Sequence, residues 1–135
     1  MTTQISNLSQ QTVREEWVAA CERLISQIET WATELNWSTH RADILLDERE
    51  TGPYTVPTVR VRLPGRAEIH VTPIARGIPG GNGRVDMESW PSLHRVRFIR
   101  RDGDTWEAIT DSNVRLREPW TREFFTNLAQ DLTAI

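Results

Sequence analysis

The sequence predicts an α+β fold: an N-terminal helix, an antiparallel meander sheet of about five to six strands, and a C-terminal helix packed on one sheet face. Three observations predict it. Between Thr12 and Asn36, the residues Trp17, Cys21, Leu24, Ile28, Trp31 and Leu35 recur at alternating gaps of four and three, which places them on one helix face. From Ser38 onward, apolar and charged side chains alternate with a period of two, interrupted by glycine, proline and asparagine turns. After Pro119, helical spacing returns with Phe124, Phe125, Leu128, Leu132 and Ile135. Strands that alternate this cleanly bury one sheet face and leave the other wet, and the two helices supply the cover.

At 135 residues the chain has the size of one ordinary domain, so residues 1–135 are read as a single α+β domain with a loose N-terminal segment at 1–11. A hydrophobic content of 38% and a charged content of 26% suit a soluble globular chain. The formal charge of -3 gives no reason to expect non-specific attraction to nucleic acid or anionic membrane. All 16 basic residues are arginine. Cys21 is the single cysteine, so no intramolecular disulfide forms, and its place on the helical seam marks it as a small buried apolar residue. No signal-peptide pattern and no membrane-length apolar run is present, and a cytoplasmic location with no membrane partner is expected.

In chain order, Met1 to Gln11 is polar, with only Ile5 and Leu8 as anchors. Thr12 followed by Glu15 has capping-box spacing and predicts the helix start. Asn36, tolerant of the left-handed conformation, predicts its end. Residues 38–48 read as a first strand, with Ala42, Ile44 and Leu46 inward, Arg41, Asp43 and Asp47 outward, and Leu45 breaking the pattern. Residues 54–63 form a second, with Val59, Val61 and Leu63 inward and Arg60 and Arg62 outward. Pro57, which cannot donate to a ladder, places part of that strand at an edge or bulge. After Pro64-Gly65-Arg66, the third strand brings Glu68 opposite Arg62 and His70 opposite Arg60, the register that keeps like faces together.

Residues 74–84, IARGIPGGNGR, form the one glycine-rich stretch. It has neither the Gly-Lys-Ser/Thr ending of a P-loop nor dinucleotide-turn spacing, and reads as a connector, a tight turn at Gly81-Asn82-Gly83, or a ligand-closing lid. Strands at 85–89 and 94–100 follow. Arg101-Asp102-Gly103 then predicts a three-residue hairpin pairing Phe98 with Trp106 and Arg97 with Glu107. Residues 114–118 are ambiguous, with Val114 and Leu116 able to add a short edge segment, and Thr121 is placed to cap the last helix.

The outward face should carry Arg41, Asp43, Arg60, Arg62, Glu68, His70, Asp86, Glu88, Arg95, Arg97 and Glu107. No catalytic set stands out. The histidines 40, 70 and 94 lack metal-ligand spacing, so no metal and no cofactor is expected, and neither Ser89 nor Ser92 sits in a nucleophile elbow. Nucleic-acid binding is disfavoured because the aromatics Phe98 and Trp106 fall on the inward face, although arginines 60, 62, 95, 97, 100 and 101 would gather if the second and fifth strands met. Of six tryptophans, Trp37, Trp90 and Trp120 lie at element ends, where at least one is expected to be exposed at a contact surface.

The helix-meander-helix order, size and acidic balance are similar in layout to small secretion chaperones, which implies dimerisation and the holding of an extended protein partner. The reading that follows is a non-enzymatic interaction module of chaperone-like or adaptor type, homodimeric or bound to a protein partner. Its surface would draw on Arg60, Arg62, His70, Arg95, Arg97 and Trp90 together with Gly80 and Gly81 of the loop. Two alternatives stand beside it. One is a small-ligand binder or minor enzyme with a pocket under residues 74–84, and the other is polyanion or RNA binding by an arginine-rich sheet face.

Overall fold

The computed structural model describes the backbone of residues 2–134 and the side chains of residues 9–134. It shows α1 (Thr2–Glu34), β1 (Ser38–Glu48), β2 (Gly52–Arg62), a 3-10 turn (Pro64–Arg66), β3 (Glu68–Ala75), β4 (Arg84–Trp90), β5 (Arg95–Arg100), β6 (Trp106–Thr110), β7 (Arg115–Leu116) and α2 (Arg122–Thr133). The sheet is a seven-stranded antiparallel meander in the order β1-β2-β3-β4-β5-β6-β7. The ambiguous stretch after Asn113 is its last strand, paired through Ala108↔Leu116 and Ile109↔Arg115.

The first helix begins at Thr2 and not at Thr12. Residues 2–11 contain neither proline nor glycine, so nothing stops the helix from propagating backward past the Thr12 and Glu15 pair. The side chains of Ile5 and Leu8, and all of Met1 and Ile135, lie outside the described residues. The helix ends as expected: Asn36 has φ 62° and the Trp37 N–H returns to the Ala32 carbonyl at 2.9 Å. At α2, the Thr121 hydroxyl accepts from the Phe124 N–H at 3.2 Å, the expected cap.

One apolar cluster joins the helices to the inner sheet face. Trp17, Cys21, Leu24, Ile25 and Ile28 of α1 meet Val56, Val59, Val61, Ile69, Val71, Val85, Met87, Val96 and Phe98, all at most 2% exposed. Phe125 of α2 closes the cluster against Trp31 and Trp37. No helix among the described residues is long and apolar enough to cross a membrane.

Register follows side-chain alternation where that alternation is clean. Arg62↔Glu68 and Arg60↔His70 pair as expected. Pro57 lies beyond the last β2–β3 pair, Val59↔Val71, where its missing N–H costs no ladder bond to β3.

Two expectations for the strands fail. In the first strand Arg41 faces inward and Ala42 is exposed, while Ile44 and Leu46 pack on the core and Leu45 between them is 71% exposed, as the alternation has it. The inward face changes over between Val56 and Val59 of β2, and the paired residues Ile44 and Arg41 follow it. Arg41 can sit inward because Glu22 and Glu29 of α1 meet it, Glu22 at 2.7 Å and Glu29 through Nε at 3.0 Å. Those hydrogen bonds, Glu29 first and then Glu22, raise the guanidinium pKa further above its ordinary value.

The second failure is the β5–β6 hairpin. Its loop is Asp102-Gly103-Asp104, closed by the Arg101 N–H on the Thr105 carbonyl at 2.7 Å, and Phe98 pairs with Ala108, Arg100 with Trp106. A loop displaced by one residue moves the register by two, so Phe98 and Trp106 keep their inward face. The cause is Asp104, which binds Arg23 of α1 at 2.5 Å and Arg100 at 3.3 Å and is held in the turn by both. The hydrogen bond from Arg23 keeps its carboxyl below the usual value. Trp106 then reaches Trp17, with ring centroids 6.2 Å apart.

Candidate functional site

The outer face is read most simply as rows of residues crossing the strands. One row runs His40, Arg60, His70, Glu88, Arg95 from β1 to β5. Beside it runs Ser38, Arg62, Glu68, Trp90. A third holds Thr72, Asp86, Arg97 and Ile109. Pleating puts these side chains on the face opposite the helices.

Charge on this face is largely paired. Arg95 binds Glu88 at 2.7 Å, and Asp86 takes Arg84 through two bonds of 2.7 and 2.9 Å. Arg101 and Arg115 share Glu107 at 3.2 and 3.5 Å. Arg97 donates to the Asn113 amide oxygen at 2.7 Å instead of meeting Glu107. The β2 end differs: Arg62, with a side chain 68% exposed, is 3.8 Å from Glu68, and Arg60 makes no hydrogen bond or ion pair among the described residues. The arginines of β2 and β5 do not gather. Two strands lie between them, a separation of about 14 Å at the usual strand spacing.

Trp90 is the aromatic left open on this face. It is 42% exposed and lies against the His70 ring, centroids 5.6 Å apart and planes 27° from parallel. His70 Nε2 is 3.9 Å from Glu68 and has no hydrogen-bond partner among the described residues. Trp37 is buried, while Trp120 packs on Phe98 and donates to Gln27 at 2.9 Å.

The glycine-rich loop is at the other end of the sheet. Its turn is closed by an Ile78↔Gly81 bridge, and it folds over Ile99 on the outer face, where a Cβ on Gly81 would stand 2.6 Å from Ile99 Cγ2. Gly80 and Gly81 therefore do not share a surface with Trp90, Arg60 and Arg62. The loop is tied down by Glu48, whose carboxylate accepts the N–H groups of Arg76 at 2.8 Å and Gly77 at 2.9 Å together with the Tyr54 hydroxyl. Tyr54 in turn accepts from Trp17 Nε1 at 3.2 Å. A cleft of about 470 Å³ borders the loop, and Glu48 is on its wall with three donors already bound.

Burial raises the pKa of Glu48, but the hydrogen bonds from Tyr54, Arg76 and Gly77 outweigh it, and the carboxyl titrates below its ordinary 4.5. Tyr54 moves up, from burial and then from its bond to Glu48. A carboxyl with a lowered folded-state pKa stabilises the fold above its unfolded value, and that contribution disappears as pH falls through the folded value. Glu48→Gln is therefore expected to lower the urea midpoint at pH 7, with the gap from wild type narrowing below pH 4.5.

No family model, curated protein or solved structure matches this chain.

Cys21, Ser89 and Ser92 are occupied or sealed: burial pushes the Cys21 thiol pKa up, Ser89 and Ser92 share a hydrogen bond of 2.6 Å, and Ser92 donates to the Leu132 carbonyl at 2.8 Å. Among the described residues no group of three or more His, Cys, Asp or Glu side chains is placed to hold a metal ion, and exposed His94 sits in the β4–β5 turn. Sequence reasoning missed the pairing of Glu48 and Tyr54 at the loop. The available signal for Glu48 was the glycine loop itself, whose backbone N–H groups need an acceptor.

Proposed function

We propose that the chain is a non-enzymatic protein-interaction module, of chaperone-like or adaptor type, whose contact surface is the open end of the outer sheet face. One observation carries the reading: Trp90 stands 42% exposed beside rows of largely paired charges, with Arg60 unpaired two strands away. Tryptophan and arginine are the residues over-represented where binding energy concentrates, and an exposed tryptophan gains most from being covered. Against a polyanion reading, Arg95 is held by Glu88 and Arg97 by Asn113, which leaves no continuous run of unpaired cations.

The test compares the wild-type chain with a Trp90→Ala, Arg60→Ala double variant as bait in its source lysate, with sedimentation velocity for self-association. Both side chains are exposed, so the thermal midpoint should change little. A protein captured by the wild type, or a dimer formed by it, is expected to weaken at least tenfold with the variant. Equal capture and equal self-association by both chains would contradict the proposal.

A further inference from the structure

We infer that the occupant of this surface is an extended acidic segment of a protein partner, one carboxylate shared by Arg60 and Arg62 and an apolar side chain over Trp90. The inference rests on the reading of the outer face as a protein contact and adds the chemistry of what it contacts.

Charge gives the first argument. Across β4 to β7 the outer-face acids Asp86, Glu88 and Glu107 each hold at least one arginine within 3.2 Å. At β2 the balance turns positive, because Glu68 stands alone against Arg60 and Arg62 and its contact with Arg62 is long, at 3.8 Å. His40, opposite Arg60 in the register, brings no negative charge. A carboxylate arriving here completes a guanidinium pair, whereas a basic segment meets repulsion.

Size gives the second. The hollow bounded by Ser38, His40, Arg60, Arg62 and Glu68 measures about 240 Å³. That is below the roughly 300–1,000 Å³ of small-molecule pockets and suits a single acidic side chain.

Spacing gives the third. Arg62 and Trp90 occupy one cross-strand row, on β2 and β4 with β3 between them. Two strand spacings are about 10 Å, which an extended chain covers in about three residues. A segment crossing the strands thus places an acidic residue about three positions from an apolar one.

The experiment selects a random dodecapeptide phage library on the immobilised full chain, with Trp90→Ala as the counter-selection. Enriched peptides are expected to carry Asp or Glu about three positions from Leu, Ile, Phe or Trp. A synthetic copy of the strongest should bind about tenfold more weakly to Arg60→Ala than to the wild type, with Arg60→Lys restoring part of the loss, and should weaken with added salt. Peptides that depend on Trp90 but show no acidic preference overturn this inference and leave the protein-contact reading in place. A selection with no Trp90-dependent peptide overturns both. Arg60-dependent binding of poly(U) RNA, without acidic peptide enrichment, assigns the surface to nucleic acid and likewise overturns the inference.

Discussion

Gly83→Ala is expected to destabilise the fold by about 3 kcal/mol or more, the combined scale of a forbidden backbone angle and an overpacked core. Gly83 is buried at φ 140°, a region that side-chain-bearing residues rarely adopt, and a Cβ there would stand 2.6 Å from both Cε3 and Cη2 of Trp17. Trp17 cannot retreat. It is fully buried, it donates to Tyr54 at 3.2 Å, and it packs against Trp106. Gly80→Ala is the control: it has a positive φ of 73° but open space around it, so only the backbone cost of about 1 kcal/mol applies. Urea denaturation of the two variants checks the pair, with the larger loss at Gly83.

Phe125→Ala is expected to cost about 3–5 kcal/mol, the range for removing a fully buried aromatic ring. Phe125 is 0% exposed and is the hub where α2 reaches the rest of the core, with Trp31, Trp37 and Trp120 at centroid distances of 5.9, 6.1 and 6.2 Å. Against a typical total of 5–15 kcal/mol, this loss should leave α2 undocked or the chain largely unfolded at moderate temperature. Phe125→Leu keeps most of the volume and should cost clearly less. The denaturant midpoint of each variant, together with near-ultraviolet circular dichroism of the tryptophan cluster, reads the difference.

Much of the architecture was legible because it depends on short-range pattern. The helical seam from Trp17 to Leu35, the Asn36 exit, the Thr121 cap and the β2–β3 register each follow from side chains within a few residues of one another. The parts that were not legible depend on partners far away in the chain. Arg41 can turn inward because Glu22 and Glu29 stand across from it on α1, and the β5–β6 loop shifts where Asp104 is claimed by Arg23. Neither pairing can be seen from a single strand's alternation.

The candidate surface divides in the same way. An exposed tryptophan at an element end was readable, and Trp90 is one. Whether Arg60 and Arg62 join Arg95 and Arg97 depended on strand order, which alternation does not specify, and the meander keeps them apart. The glycine loop could be read as a connector, a tight turn or a lid because its composition hides its restraints. Glu48 lies 28 and 29 residues before the two N–H groups it holds.

Oxidative footprinting of the six tryptophans by mass spectrometry tests the central claim most directly, since that claim is that both helices cover one sheet face and leave the other open. The structure predicts that Trp90 reacts fastest and that Trp17 and Trp37 are protected until the chain unfolds. Rapid oxidation of Trp17 in the native protein, with Trp90 protected, would contradict the assignment of faces and the contact surface built on it.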